Sequence, residues 1–406
     1  MRLPLKEIPE PLRGEEKGTW AYHTIVNRLP EIAQWAIDRN DFQPDIQGRI
    51  NALIEDIPLG MVRDMDDPSA PDVQDWESYI APYLGRNWLQ VPWFFAEHYF
   101  YRRILEATGY FQPGIGYQVD PFLPIKNEGI LVSQGRVADL AYHLNSWLSM
   151  ERRDLNTLVR MLHLNLWGNQ ADLSLWPADQ DEKPDHANES DARMHLLVDD
   201  AAEVGAYLFD LPPGTARVDV IVDNAGYELI SDLALVDYLL GTSIAFQIRL
   251  HIKAHPTFVS DAIAVDVFET VKTLEESQNP DVKCFGERLR SHLTNGRLLV
   301  REDFFWNSPL VFWEQPDAIR EELSQVDLVL TKGDANYRRL MGDRNWDFTT
   351  AFSDVVDYFP TALLALRTFK AEVAVGLTRG QIAVLDQKDP SWLTDGRWGV
   401  IQYHHL

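Results

Sequence analysis

The most restrictive feature of this 406-residue chain is a series of short apolar runs in its second half. Segments with helical spacing, such as Tyr227–Leu240 and Asp266–Glu275, separate most of these runs. Strands that alternate with helices predict an α/β fold, in which a parallel sheet is covered by helices on both faces. The predicted strands are Val218–Val222, Ser243–Ile252, Leu298–Val300, Val326–Leu330 and Glu372–Gly376.

The first 175 residues have a different pattern, in which apolar side chains recur at helical spacing. Pro92 precedes an aromatic helix-like segment, and leucines recur at helical spacing, three, four or seven residues apart, from 140 to 162. A polar, acidic stretch follows, and we interpret residues 176–204 as a connecting loop. We therefore expect a helical unit over 1–175 and an α/β unit over 205–406.

Composition excludes several classes of function. The formal net charge is −25, and we find no run of Lys or Arg that would bind nucleic acid or an anionic membrane surface. The apolar runs are strand-sized, far below the ~18 residues that a membrane span needs. A single cysteine, Cys284, cannot form an internal disulfide. The first residues lack the apolar segment of a signal peptide, so we expect a cytoplasmic protein.

Carboxylate and amide side chains follow the predicted strands at the edge where active sites of parallel sheets lie. Asp223 and Asn224 follow the first strand, with Glu228 close behind, and Asp261 follows the second. Their oxygen atoms suit hard divalent ions such as Mg²⁺ or Mn²⁺. Asp-Asn before a glycine is also an ordinary turn, so the joint placement carries the prediction.

Cations are predicted at the same edge. Lys332 follows the fourth strand, and Arg367 and Lys370 precede the fifth. Lys and Arg bind phosphate oxygens, Arg often through two parallel hydrogen bonds. The spacing of Arg367 and Lys370 is equally typical of a solvated helix face. Carboxylates and cations together at one sheet edge indicate phosphate chemistry with a metal ion.

These motifs together resemble the damage-control phosphatase family, once called domain of unknown function 89. The Arg-Thr-x-Lys motif places the resemblance in subfamily III, which includes acidic residue methyltransferase 1-like proteins and sugar-phosphate phosphatases. The resemblance implies a three-layer α/β/α core with a mostly parallel sheet and an N-terminal helical cap. The matching segments are Trp93–Arg103, Leu166–Leu175, Val222–Asp232, Pro256–Asp261, Trp306–Pro309, Thr331–Asp343 and Arg367–Lys370.

The resemblance also implies residue roles. Asp223, Asn224 and Asp261 match the metal ligands, which would hold Mn²⁺, Co²⁺, Ni²⁺ or Mg²⁺, and Glu228 matches a nearby acid. Lys370 matches the phosphate-contacting lysine, and Phe369 is a bulky residue at the variable position of the motif. The substrate-contacting loop corresponds to Gly333, Asp334, Ala335, Asn336, Tyr337 and Arg338, and Glu97 in the cap is a further candidate for substrate contact.

The expected reaction is hydrolysis of a small phosphorylated metabolite, either a sugar phosphate resembling fructose phosphates or a damaged phosphometabolite. The phosphate would bridge the metal and the cations Lys332 and Lys370, while Asp334 would orient water or bind a hydroxyl. The attacking group is either water or Asp223.

Two alternatives to a phosphatase remain. They are an S-adenosylmethionine-dependent protein carboxyl methyltransferase and a non-catalytic metabolite-binding protein. The sequence leaves the oligomeric state, the metal and the physiological substrate open.

Overall fold

The computed structural model describes residues 7–150, 153–168 and 195–405. Within these ranges, strands form one seven-stranded sheet in the order β1-β7-β6-β5-β2-β3-β4. All neighbouring strands are parallel except β6 and β7, which are antiparallel. The predicted α/β fold with a mostly parallel sheet is therefore confirmed. The strands are β1 (Leu196–Asp199), β2 (Ala216–Ile221), β3 (Ala245–Lys253), β4 (Leu298–Asp303), β5 (Leu328–Lys332), β6 (Leu363–Thr368) and β7 (Gly399–His404).

Four of the five predicted strands coincide with β2, β3, β4 and β5, but the fifth prediction is wrong. Residues 372–376 form no strand, and the strand beside β5 is β6, which begins nine residues earlier. The apolar residues Val373–Val375 are buried by packing, whereas β6 is bonded on both sides, to β5 and β7. Burial produces an apolar run in either situation, so the run alone did not identify the strand.

Helices cover both faces of the sheet. The N-terminal helices are α1 (Trp20–His23), a π-helix (Thr24–Arg28), α2 (Leu29–Asp38), α3 (Pro44–Asp56), α4 (Val73–Ile80), a 3₁₀ turn (Ala81–Tyr83), α5 (Trp93–Thr108), α6 (Leu123–Val132), α7 (Gln134–Ser149) and α8 (Leu155–Leu166). The later helices are α9 (Ala201–Asp210), α10 (Tyr227–Gly241), α11 (Ala264–Glu275), α12 (Pro280–Thr294), 3₁₀ turns at Phe304–Asn307 and Phe312–Glu314, α13 (Asp317–Leu323), α14 (Asp334–Met341), α15 (Phe352–Val356) and α16 (Arg379–Lys388).

Alternate residues of the central strands β5 and β6 enter different hydrophobic cores, as the period of two along a strand requires. Val329 and Ala365 pack in the core that contains the helices from α1 to α5. Leu330 and Leu364 point to the other face, where α7, α8, α9, α10 and α12 lie. The sheet is thus the middle of three layers.

The sheet extends beyond the predicted 205–406 unit. β1 lies within the predicted 176–204 loop, because residues 196–199 pair with β7 at the edge of the sheet. The helices α7 and α8, within the predicted 1–175 unit, pack on the α9–α10 side of the sheet. Residues 176–194 lie outside the described residues. In the part of the chain that the structure describes, no helix is long and apolar enough to cross a membrane.

The packing of α11 against α12 supplies a test of the fold. An added Cβ on Gly286 would lie 2.2 Å from the backbone nitrogen of Glu275. Any larger residue at position 286 would therefore force α11 and α12 apart. We expect Gly286→Ala to lower the free energy of unfolding by about 1–3 kcal/mol or more, measured by urea denaturation.

Gly48→Ala is the matched control, because Gly48 is helical and exposed and its Cβ would contact nothing within 4 Å. Alanine is the better helix former by roughly 1 kcal/mol, so this variant should be as stable as the parent or more stable. Equal unfolding free energies for Gly286→Ala and the parent would contradict the close helix contact.

Candidate active site

The candidate active site begins where two neighbouring parallel strands end. β2 and β5 lie side by side, while the chain leaves β2 toward β3 on the opposite side, so this is the switch point of the sheet. Asp223 follows β2 and Gly333 follows β5. An added Cβ on Gly333 would lie 1.9 Å from Asp223 Oδ2, and the φ of Gly333 is +86°. Only glycine therefore fits beside the Asp223 carboxylate.

Two loops are hydrogen-bonded to each other at this point. The backbone N–H of Ala225 donates to the carbonyl of Ser260 at 2.7 Å, and that of Ala262 donates to Asp223 at 2.9 Å. Asn224 and Asp261 form an antiparallel bridge between these bonds. The Ser260 hydroxyl donates to Asn224 Oδ1 at 2.6 Å. The structure thus brings the three predicted metal ligands together from separate parts of the chain.

The loop that carries Asp261 has an unusual backbone. Phe258 and Val259 have φ values of +46° and +67°, a region that β-branched residues rarely adopt. Such conformations persist where the surrounding structure holds them, and they cluster at functional sites. Here both residues line the cavity described below.

Carboxylates are crowded and buried in this site. Burial, together with the neighbouring carboxylates of Glu228 and Asp261, raises the pKa of Asp223 well above its usual range. Burial raises the pKa of Asp261 to about 6, although the Lys253 ammonium opposes the change. Lys253 Nζ lies 3.4 Å from Asp261 Oδ2, which has no closer hydrogen-bond donor among the described residues. The site holds more negative charge than its nearest cation neutralises.

Sequence reasoning missed Lys253. It is the last residue of β3, so it lies at the carboxyl end of a strand like the residues that were singled out. Its ammonium also donates to the carbonyl of Trp306 at 2.9 Å. The strand-end position was the available signal.

Lys332 lies beneath the site in a network of buried groups. Its ammonium donates to Asp232 at 2.8 Å and to the carbonyl of Asn165 at 2.7 Å, and lies 3.5 Å from Glu228. Burial alone would lower the pKa of Lys332, but the two carboxylates outweigh it and raise that pKa. Lys332 was predicted to contact phosphate, but in this structure its ammonium is bound by these partners. It lies beside a recess of about 20 Å³ that Asp223 and Lys370 also line.

Asn224 joins this network to the carboxylates. Its side-chain N–H group donates to Asp223 Oδ2 at 2.8 Å and to Glu228 Oε2 at 3.0 Å. Glu228 therefore lies beside the predicted metal ligands, as the sequence suggested.

The two cations of the Arg-Thr-Phe-Lys motif, Arg367 and Lys370, have different surroundings. Arg367 is fully buried and binds Asp334 at 2.7 Å, as well as the carbonyls of Ala371 and Val373. Asp334 Oδ1 also accepts the backbone N–H of Lys370 at 3.1 Å. Arg367 thus fixes the loop and Asp334, whereas the exposed side chain of Lys370 faces the cavity.

In the predicted substrate loop, residues 333–338, some side chains line the cavity and others support the loop from behind. Ala335 and Arg338 line the cavity. Asn336 is buried and donates to the carbonyls of Val222 and Lys332, at 3.3 and 2.8 Å. Tyr337 is buried and donates to Gln402 at 2.8 Å. These two residues support the loop from behind.

Arg338 connects the sheet side of the cavity to the helical side. It binds Glu97 at 2.6 Å and Asp343 at 2.7 Å, and its guanidinium lies 3.6 Å from the centre of the Trp93 ring. Burial raises the pKa of Glu97, although Arg338 opposes the change. Glu97 lines the cavity as one member of this ion pair, and its contact with a substrate stays a prediction.

These groups surround a single cavity of about 320 Å³, near the lower end of the ~300–1,000 Å³ range of small-molecule sites. Asp223, Asn224, Asp261, Asp334 and Lys370 lie on its sheet side. Helical residues that sequence reasoning did not single out complete it, chiefly Trp20, Thr24, Arg28 and Trp35.

The donor set fits a hard divalent ion. Asp223 and Asp261 supply carboxylates, Asn224 supplies an amide oxygen with a second lone pair, and Asp261 Oδ2 is buried without a hydrogen bond. One or two carboxylates, completed by water and substrate oxygens, are sufficient for Mg²⁺. Among the described residues, no group of three His, Cys, Asp or Glu side chains is arranged to hold a metal, so the amide is required for a three-ligand set.

Comparisons with known proteins identify the family of the chain. A solved structure of a duf89 family protein from Pyrococcus horikoshii matches with a TM-score of 0.45 and 16% identity, over 87% of this chain and 91% of that one. Damage-control phosphatase ARMT1 of mouse is 31% identical, covering 98% of this chain and 99% of its own length. The human and bovine proteins of the same name are 30% and 32% identical, over 98% and 97% of this chain and 98% of their own lengths. The family model described as Damage-control phosphatase ARMT1-like domain matches residues 24–385, and the chain therefore belongs to this family of damage-control phosphatases.

Proposed function

We propose that the chain is a metal-dependent phosphatase that hydrolyses small sugar phosphates or damaged phosphometabolites. The observation that carries the proposal is one cavity whose sheet side presents Asp223, Asn224 and Asp261 next to the exposed ammonium of Lys370. Membership of the damage-control phosphatases supports phosphate release from a small metabolite. The cavity is of a size for such a substrate.

Asp223, Asn224 and Asp261 would hold the cation. An all-oxygen set favours Mg²⁺ or Mn²⁺, and Co²⁺ and Ni²⁺ are the other candidates. When bound, the cation would polarise the phosphoryl oxygens and offset the charge that develops on them. The same charge would offset the crowding of carboxylates that raises the pKa of Asp223 and Asp261.

Lys370 would bind the phosphate of the substrate. Its side chain lines the cavity, and its positive charge lowers the pKa of Asp223, which places the two groups within electrostatic reach. Its backbone N–H is fixed by Asp334, and Asp334 is fixed in turn by Arg367. Asp334 also lines the cavity and is the candidate for orienting water or a substrate hydroxyl.

Local charge outweighs the acidic surface in attracting an anion. The net charge of −25 is spread over the molecule, and exposed charges beyond about 8 Å are screened at physiological ionic strength. Lys370 and a bound cation act at contact distance inside a concave site. A substrate phosphate is therefore compatible with the acidic composition.

The test of the proposed function is a phosphate-release screen. Sugar phosphates, including fructose 1-phosphate and fructose 6-phosphate, are incubated with the chain and Mn²⁺, Co²⁺, Ni²⁺ or Mg²⁺, each beside an EDTA control. We expect phosphate release that needs a divalent ion.

A parallel assay follows labelled methyl groups from S-adenosylmethionine to protein carboxylates. Methyl transfer without phosphate release would favour the methyltransferase alternative. Binding of sugar phosphates with neither reaction, over all four ions, would favour the metabolite-binding alternative.

Gly333→Ala tests the approach of β5 to Asp223. The added Cβ would displace the carboxylate, and misplacement by about 1 Å can reduce a rate roughly 100-fold. We therefore expect kcat/KM for phosphate release to fall by about 100-fold, with the far-ultraviolet circular dichroism retained.

Gly296→Ala is the matched control, because Gly296 has a φ of +74° but an added Cβ there would contact nothing within 4 Å. Both variants carry the strain of a positive φ in alanine, on the order of 1–3 kcal/mol, and only Gly333→Ala adds the clash with Asp223. Equal kcat/KM values in the two variants would contradict the role of the close approach.

Lys370→Ala tests the phosphate contact. A hydrogen bond to a charged group contributes about 1.5–3 kcal/mol, so KM for a sugar phosphate should rise by roughly 10- to 100-fold. Lys388→Ala, which changes an exposed lysine outside the cavity, should leave KM unchanged. If KM and kcat of Lys370→Ala equal those of the parent, Lys370 does not bind the phosphate.

A further inference from the structure

Arg28 is a cation of the cavity wall that forms no salt bridge with a described residue, although its charge acts on Glu97 from a distance. Its guanidinium carbon lies 5.5 Å from the centre of the Trp20 ring, and no carboxylate in the described part of the chain pairs with it. Arg338, which lines the same cavity, is already bound to Glu97 and Asp343. Arg28 is exposed, so its donors are available to a ligand in the cavity.

Thr24 provides a second, independent observation. Its side chain lines the same cavity and is only 2% exposed, yet its hydroxyl has no hydrogen-bond partner among the described residues. A buried hydroxyl without a partner costs roughly 1–3 kcal/mol, which a ligand oxygen would offset. Among the described residues, this wall therefore carries a buried hydroxyl without a hydrogen-bond partner, on Thr24, and an exposed guanidinium without a salt bridge, on Arg28.

The local backbone explains why both residues face the cavity. Thr24 and Arg28 are the first and last residues of the π-helix between α1 and α2. π-Helical turns are rare, and they occur frequently at functional sites. The start of α1 is held in place because the backbone N–H of Trp20 donates to Glu372 at 3.0 Å, two residues after Lys370.

The two free cations of the cavity act on different walls. The charge of Lys370 lowers the pKa of Asp223 on the sheet side. The charge of Arg28 lowers the pKa of Glu97 and Tyr101, which both belong to α5 on the helical side. A ligand that contacts both cations therefore has to reach both walls, which a compound with an anionic group at each end can do.

We propose that Arg28 and Thr24 form a subsite for a second anionic group of the substrate, a carboxylate or a phosphate. The proposal rests on the proposed function and narrows its substrate class to phosphometabolites with an anion at each end. The Arg28 guanidinium lies over the Trp20 ring and forms no salt bridge with a described residue, so its N–H groups can bind a carboxylate or phosphate through two parallel hydrogen bonds. Arg28 is thus a specificity-determining residue.

The experiment compares substrates that differ by one anionic group. Glucose 6-phosphate is paired with 6-phosphogluconate, and fructose 1-phosphate is paired with fructose 1,6-bisphosphate. For Arg28→Met, we expect kcat/KM of the member with two anionic groups to fall about 10- to 100-fold further than that of its partner. Arg28→Lys should recover part of this difference, because lysine keeps the charge but not the paired bonds.

Thr24→Val should reduce the preference for compounds with two anionic groups by a smaller factor than Arg28→Met does. Valine keeps the shape of the side chain and removes only a neutral hydroxyl donor. Arg160→Met is the control, since Arg160 is an exposed arginine outside the cavity. It should leave the ratio of the two kcat/KM values unchanged. If Arg28→Met changes the kcat/KM ratio of 6-phosphogluconate to glucose 6-phosphate but not that of the bisphosphate pair, the second anionic group is a carboxylate. If it changes only the ratio of the bisphosphate pair, the second group is a phosphate.

If the ratio of the two kcat/KM values within each substrate pair is the same in Arg28→Met as in the parent, the proposal is overturned. Calorimetric binding of the four compounds in EDTA gives a readout that does not need turnover. If the parent releases no phosphate but binds the compounds with two anionic groups more tightly through Arg28, the proposed function fails and the subsite stands. If Arg28→Met binds both members of each pair as the parent does, the subsite fails.

Discussion

The close approach of Asp223 to Gly333 is the constraint on which the site depends. β2 and β5 are neighbours in the sheet although more than 100 residues separate them in the chain, and their carboxyl ends meet at its switch point. The carboxylate then lies where any Cβ on residue 333 would be. The loop after Asp223 is in turn bonded to the loop that carries Asp261, so the position of one carboxylate determines the others.

Charge pairing explains which polar residues can act on a ligand. Lys332 and Arg367 are buried, and burial of an unpaired charge is costly, so each is bound by carboxylates and carbonyl groups. Arg338 is similarly held between Glu97 and Asp343. These ion pairs position the walls of the cavity. The cations left for a substrate are the exposed ones, Lys370 on the sheet side and Arg28 on the helical side.

The sequence predicted the α/β fold, four of the strands and the meeting of Asp223, Asn224 and Asp261, because strand periodicity and strand-end position are local signals. Which basic residues form buried ion pairs and which face the cavity could not be predicted from such local signals. Whether Lys332 and Arg367 face a ligand or a carboxylate depends on Asp232 and Asp334, which only the folded chain brings to them. The strand β6 was missed because a buried loop and a buried strand have the same apolar composition. Thr24 and Arg28 follow no predicted strand and belong to none of the motifs, so no local signal singled them out.

Direct titration with Mn²⁺ tests the central claim that Asp223, Asn224 and Asp261 form a cation site. The metal-free chain is titrated and free Mn²⁺ is followed by electron paramagnetic resonance, for the parent and for Asp261→Asn, which preserves the shape of the side chain but removes its charge. A cation site formed by these residues should bind one Mn²⁺ per parent chain, with an affinity at least about 10-fold lower in the variant. Equal affinity in the two proteins, with the variant still releasing phosphate in the presence of EDTA, would contradict it.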